Sequence, residues 1–374
     1  MKAYKFRIYP SKEQEKAMKH HLWIEKILWN EMLAFTKEIY NAHGKFPTKE
    51  TLRSFVKNSG IHSQVAQELV ERLNKSIWRM VELRKRGEDC GFPRFKSFDH
   101  VKSLNYPQSG FSLNKKLKVT PFGEIPIVLH RVMNGKIKTL AIKRAPTGKW
   151  FACFSVEETP TVKASNGKPK VGLDLGLKTL ATLSDGSVIK NPRHLKKHAE
   201  KLARLQQNLS KAKKGSKNRR KAKRLVAIEY EKLKNTRKDF LHKTTTSLVN
   251  SYSTIALEKL ASQEMSEQNF GKSINDAGWG MCANMLAYKA ESAGCQIVFV
   301  DPKNTTQQCS NCHELVKKDL TVRVHDCPFC NLVMDRDLNA AKNILIRATE
   351  GHSERNACGD ETKVSSVKQE AHTF

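Results

Sequence analysis

The sequence predicts an α/β protein made of more than one folded unit, and three observations carry that prediction. The spacing of apolar residues switches between a period of two and a helical period several times along the chain. At 374 residues the chain is longer than the about 250–300 at which single cores stop growing. Two Cys-x-x-Cys pairs in the last quarter mark a small unit of their own.

Tyr4, Phe6 and Ile8 alternate with Lys5 and Arg7, which predicts a short strand ending at Pro10. Ser11 followed by Glu13 and Gln14 is a helix start. From there to about Arg86 the spacing is helical, with Leu22, Leu28, Phe35 and Ile39 in one run and Val65, Leu69, Leu73, Ile77 and Val81 in another. Three or four helices fit, broken at 44–47. Between Val101 and Glu157 the period returns to two. Thr139–Arg144 and Trp150–Val156 are predicted strands, joined by the turn Ala145-Pro-Thr-Gly148, and Pro107, Pro121 and Pro126 divide the earlier part into short strands, as in a small barrel. The first strand has no partner among the helices, so it is expected to pair here. That makes residues 1–10 and 99–165 one β-rich module and residues 11–98 a helical insertion in it.

Thr161–Lys168 is a polar linker, and a new unit starts at Val171. Residues 193–224 hold fourteen Lys and Arg against one acid, Glu200. Leu202, Leu205 and Leu209, then Ala222, Leu225 and Ile228, keep a helical period across Gly215, so residues 193–235 are expected to form a basic helical hairpin. A solvated surface hairpin is the plainer reading, but so many like charges favour a phosphate-facing role. The polar, aperiodic residues 350–374 are expected to be disordered.

The whole chain has 67 Lys and Arg against 37 Asp and Glu, a formal charge of +30. Such a surplus repels itself unless a polyanion offsets it, which points to nucleic acid as partner. The N-terminus lacks the apolar stretch of a signal peptide, and no window is long and apolar enough to span a membrane. Nine cysteines without a secretory signal point to a reducing compartment and to metal binding.

Three carboxylates stand out. In Val171-Gly-Leu-Asp-Leu-Gly176, strand alternation puts Val171, Leu173 and Leu175 on one face and Gly172, Asp174 and Gly176 on the other. The two glycines are expected to leave open space beside Asp174 for a metal ion and a phosphate. In the second strand-like run, Ser253-Thr-Ile-Ala-Leu-Glu-Lys-Leu260, Ala256 and Glu258 share a face. In Asp335-Arg-Asp-Leu-Asn-Ala-Ala341 a helix opens, with Asp337 on the same face as Ala340, Ala341 and Ile344, and Asp335 on another with Asn339 and Lys342. Asp335 is therefore expected to cap the helix and Asp337 to be the functional acid. Each alone has an ordinary structural explanation. Together, three converging acids suit two Mg²⁺ or Mn²⁺ ions, which bind hard carboxylate oxygens and can hydrolyse a phosphodiester. No Walker loop, His-Glu-x-x-His or Gly-x-Ser-x-Gly competes.

Cys309-Ser-Asn-Cys312 and Cys327-Pro-Phe-Cys330 are separated by fourteen residues, the spacing of a four-thiolate Zn²⁺ ribbon. A haem-attachment reading of Cys309–His313 would leave the second pair unexplained, and a redox dithiol would need a βαβ setting that is missing. Lys317, Lys318, Arg323 and His325, between the pairs, are candidate nucleic-acid contacts; Cys90, Cys153, Cys282 and Cys295 read as core residues, and Cys358 has no ligand spacing.

The order Gly-Leu-Asp-Leu-Gly, Ile-Ala-Leu-Glu-Lys-Leu, four-cysteine ribbon and Asp-Arg-Asp-Leu-Asn-Ala-Ala resembles the transposon-associated TnpB family, thought ancestral to type V CRISPR effectors. Lys2–Pro10, Phe92–Lys96, Lys238–Lys243 and Asp301–Thr306 match it as well. The resemblance implies an RNase H-like RuvC nuclease domain over 170–301 and 335–349, with a zinc ribbon inserted at 302–334. It also implies that the β-module is a wedge and its helices a recognition lobe. Asp174, Glu258 and Asp337 would be catalytic, holding Mg²⁺ (or Mn²⁺), with Cys309, Cys312, Cys327 and Cys330 holding Zn²⁺. The family binds a guide RNA from the transposon end and cuts double-stranded DNA beside a short adjacent motif, which implies a cytoplasmic, nucleoid-associated prokaryotic protein. The alternatives are an unguided RuvC-like nuclease or transposase, and a guided DNA-binding repressor without cleavage.

Overall fold

A computed structural model describes residues 1–158, 164–260, 271–319 and 321–350. These residues divide into two units, the first up to residue 158 and the second from 164 to 350.

In the first unit, β1 (Lys2–Ile8) is followed by three helices, α1 (Lys12–His43), α2 (Lys49–Val56) and α3 (Ser63–Lys85). Ser11 and Gln14 form a reciprocal capping box at the start of α1, and Gly44, in the left-handed conformation, ends it. Gln14 also donates to the carbonyls of Phe122 and Glu124, tying the helix start to the β-module. β1 lies between β8 (Trp150–Glu157) and β6 (Ile127–Val128), in the order β2-β7-β8-β1-β6, where β2 is Ser103–Tyr106 and β7 is Lys136–Arg144. β3 (Phe111–Leu113), β4 (Leu117–Val119) and β5 (Gly123–Ile125) form a second small sheet. One core fills the β-module with Phe6, Ile8, Tyr106, Trp150 and Phe154, and a separate one joins the helices through Leu33, Leu69 and Leu73.

In the second unit, a five-stranded sheet runs β11-β10-β9-β12-β13, from Val188–Lys190, Thr179–Leu183, Lys170–Leu175, Thr254–Glu258 and Gln296–Val300 respectively. The first three strands are antiparallel, whereas β12 is parallel to both β9 and β13. α4 (His194–Lys211) and α5 (Lys217–Ser251) form the basic hairpin. Ser216 caps α5, and Arg219 reaches back to the carbonyls of Leu209 and Ala212 at 2.8 Å each, satisfying the end of α4. α5 continues past residue 235, where the sequence placed the end of the hairpin, because Leu241, Leu248 and Val249 pack on the sheet. α6 (Gly271–Ala277) and α7 (Trp279–Ala293) cover the same face.

The last helix, α8 (Arg336–Glu350), covers the opposite face through Ala256, Val300, Ile344 and Ala348. It follows a two-stranded ribbon, β14 (Val324–Asp326) and β15 (Val333–Asp335). The expected disordered tail lies, beyond Glu350, outside the described residues. Among those residues no helix is long and apolar enough to cross a membrane.

Candidate active site

β9 and β12 are parallel neighbours with Leu173 opposite Leu257, one residue before Asp174 and Glu258. Both acids therefore leave the sheet at the same end, on the face that α8 covers. Asp335 accepts hydrogen bonds from the backbone N–H groups of Asp337 (2.8 Å) and Leu338 (3.2 Å), so it caps α8. That cap aims Asp337, in the first turn, toward the two strand-end acids.

One expectation fails here. The glycines do not leave open space beside Asp174. A Cβ built on Gly172 would lie 2.0 Å from the carbonyl oxygen of Ala341 and 2.8 Å from the amide nitrogen of Leu345, and one on Gly176 would lie 3.0 Å from the Thr179 carbonyl oxygen. Gly172 is small because a helix backbone rests on it. Ala256, fully buried, serves the same contact. The small residues beside the acids bring α8, and with it Asp337, close to the sheet.

The acids repel one another. Burial, then the charges of Glu258 and Asp337, push Asp174 up to about 8, against the opposing pull of Arg336. Burial also raises Glu258, opposed by a hydrogen bond from the Thr305 hydroxyl and by the charge of Arg347. Asp337, 18% exposed, is paired with Arg336 at 3.3 Å and Arg323 at 3.6 Å. Hard oxygen donors held together against their own repulsion fit a divalent cation, which would offset it. Among the described residues only the four cysteines bring three or more ligand groups all within 4.8 Å of one another.

The cysteine cluster is closed. The sulfurs of Cys309 and Cys330 are 3.6 Å apart and those of Cys312 and Cys327 3.5 Å apart. Four thiolates on Zn²⁺ at about 2.3 Å would be roughly 3.8 Å apart, so the donor set fits a structural zinc. Of the basic residues between the pairs, Lys317 is exposed. The other three have partners in the fold, though Arg323 is half exposed. His325 is fully buried with the Lys318 ammonium on its Nδ1, and Arg323 pairs with Asp337. Cys282 and Cys295 are buried and Cys90 and Cys153 partly so; Cys358 lies outside the described residues.

Residue-by-residue reading of the sequence missed the connection between ribbon and sheet. Segment 301–310 lies along α8, where Asn339 and Asn343 are buried and Arg347 reaches the carbonyls of Asp301 and Lys303. The face holding Asp335, Asn339 and Lys342 was separated from the packing face because a helix against a sheet needs only one. This helix has two covered faces. The four-residue spacing of Asn339, Asn343 and Arg347 was the available signal.

The chain is similar to known proteins. Residues 153–269 match a family profile described as "Probable transposase", residues 279–344 one described as "Cas12f1-like, TNB domain", and residues 1–45 one described as "Helix-turn-helix domain". In this chain residues 1–45 form a strand and one long helix. A protein of Escherichia coli (strain K12), named "Putative RNA-guided DNA endonuclease InsQ", is 30% identical over 390 residues, 96% of this chain and 94% of that one. A Streptomyces pristinaespiralis protein named "Putative RNA-guided DNA endonuclease" is 30% identical over 99% of this chain and 96% of its own. A solved chain from a Cas12f1–sgRNA–target DNA complex superposes with a TM-score of 0.58 at 16% identity, covering 89% of this chain and 83% of that one, and shares the fold. With 30% identity sustained over almost its whole length, the chain belongs to the TnpB family, whose relatives carry the name of RNA-guided DNA endonucleases.

Proposed function

We propose that the protein is an RNA-guided DNA endonuclease that hydrolyses phosphodiester bonds with two divalent ions, Mg²⁺ or Mn²⁺, held by Asp174, Glu258 and Asp337. The observation that carries this reading is the convergence of the three acids from two strand ends and a helix start, close enough that Glu258 and Asp337 both push Asp174 up. When bound, the ions supply an activated water and stabilise the leaving oxygen. Asp174 and Glu258 hold them from the rigid sheet, while Asp337 is poised behind two arginines that can turn to phosphate oxygens as a cation takes their place.

A guide RNA from the transposon end selects the target by base pairing, next to a short adjacent motif in double-stranded DNA. The basic hairpin 193–235 lies along the heteroduplex backbone. The β-module (1–10 and 99–165) is the wedge and the helices of 11–98 the recognition lobe. The nuclease domain is 170–301 with 335–349, interrupted by the zinc ribbon at 302–334, and the work is done in the cytoplasm of a prokaryote, at the nucleoid.

The test is to express the protein with its native flanking DNA, sequence the RNA that co-purifies, and incubate a matched target with Mg²⁺. Cleavage that needs both the RNA and the match is expected. Full cleavage by RNA-free protein would leave an unguided nuclease or transposase, and matched binding without cleavage a repressor.

A further inference from the structure

We propose that Thr305 is the positioning residue for Glu258, delivered to the nuclease sheet by the segment that leads into the zinc ribbon. The inference rests on the reading of Glu258 as a metal ligand. Thr305 is only 2% exposed, so water has no ready access to replace it. Its single hydroxyl hydrogen is offered to Glu258 Oε1 and, at 3.1 Å, to the Pro302 carbonyl. A glutamate at a strand end has three side-chain torsions to fix before it can hold an ion. A donor on Oε1 fixes them and leaves Oε2 for the ion.

Thr305 can do this only if its own backbone is fixed, and α8 supplies that. Asn343, 2% exposed, donates to the Thr305 carbonyl at 2.9 Å and the Gln308 carbonyl at 2.6 Å. One turn earlier, Asn339 donates to the same Gln308 carbonyl at 2.7 Å and accepts from the Ser310 N–H at 2.9 Å. Arg347 holds the beginning of the segment through the Asp301 and Lys303 carbonyls. Cys309, the first zinc ligand, follows four residues after Thr305. The segment is therefore pinned along one helix and closed at its far end by the ribbon. Asp337 and the segment that orients Glu258 are both carried by α8, which places the second and third acids under one element's control.

Valine matches threonine in shape and lacks the hydroxyl; serine keeps it. Mn²⁺ bound to the guide-loaded protein is counted by electron paramagnetic resonance, with Glu258→Gln as the blank, alongside the Mg²⁺ dependence of cleavage and the affinity for matched DNA. Thr305→Val is expected to weaken the Glu258-dependent Mn²⁺ by about tenfold. Half-saturating Mg²⁺ should shift in parallel, with DNA affinity unchanged and Thr305→Ser within about twofold of the native protein. If valine misfolds, Thr305→Ala removes the hydroxyl without filling its space and makes the same comparison. Native Mn²⁺ affinity in the folded valine or alanine variant, with Glu258→Gln inactive, overturns the positioning role and leaves the nuclease reading intact. A Tm loss shared by valine and serine, without a shift in Mn²⁺ affinity, likewise overturns it in favour of a purely structural threonine. A Glu258→Gln variant that cleaves normally overturns the reading of Glu258 itself.

Discussion

Asp174 is ionised only at a cost in the metal-free protein, because it is buried beside two further acids. Its carboxyl group is pushed up to about 8, whereas in the unfolded chain it titrates near about 3.9. The folded state then holds the extra proton between those values, so this residue lowers stability progressively as pH rises from about 4 to about 8. Asp174→Asn removes the charge and keeps the shape. In chelator at pH 8 the variant is expected to be more stable than the native protein by at least about 1 kcal/mol, with the gap closing toward pH 4. It should also be inactive in Mg²⁺. Denaturant melts across that pH range measure the gap, and a variant less stable than the native protein at pH 8 would contradict it. At this scale, facing arguments in the sequence separated Asp337 from Asp335, whose carboxylate binds the Asp337 and Leu338 amides. They misjudged the glycine beside Asp174, since a strand's own residues do not say what packs on them.

Helix α8 is the element on which the second unit depends. One face rests on Gly172 and Ala256, and another pins segment 301–310. Its start is joined to the ribbon, where Arg336 donates its backbone N–H to Arg323 and its side chain to the Val322 carbonyl. The ribbon has little apolar core, with Val324, Phe329 and Val333 each more than half exposed, so the metal must hold it. Cys327→Ser is expected to cut zinc content from one ion per chain toward none and to loosen the ribbon. Elemental analysis with hydrogen exchange over 302–334 checks this, and full zinc content in the variant would refute the four-thiolate site. Because Arg323 and segment 301–310 touch the acids' surroundings, cleavage should fall with the zinc. The spacing of the cysteines made the ribbon legible; the burial of His325 and the pairing of Arg323 with Asp337 were not, since a basic residue between the cysteine pairs looks the same in sequence whether it faces solvent or an acid.

Over the whole molecule the charge of +30 outweighs any single ion pair. Within the hairpin, buried Glu229 pairs with Lys201 at 2.9 Å and hydrogen-bonds His198 at 2.7 Å, leaving most of the hairpin's cations without an acid. Without a polyanion, self-repulsion should make the protein fold less stably at low ionic strength. The Tm of RNA-free protein is expected to rise by several degrees between roughly 20 mM and 300 mM salt, as screening shortens to below about 10 Å. Guide-loaded protein should melt higher and change less with salt, because bound RNA both offsets the charge and stabilises by mass action. Scanning calorimetry across that salt series tests it, and a flat Tm in the RNA-free protein would mean the cations are already compensated within the fold.

The sequence by itself determined the order of strand and helix runs, the spacing of the four ribbon cysteines and the identity of three acids that could converge. These are local properties: period, capping chemistry and ligand spacing each lie within a few residues. Tertiary structure decided which strand of the expected β-module takes β1, namely β8, and that Leu257 falls beside Leu173 to bring two acids to one sheet end. It also decided that Gly172 receives a helix and that Thr305 reaches Glu258. Such contacts depend on which element packs on which face, and burial of a residue by a distant segment leaves no mark on its neighbours in the chain.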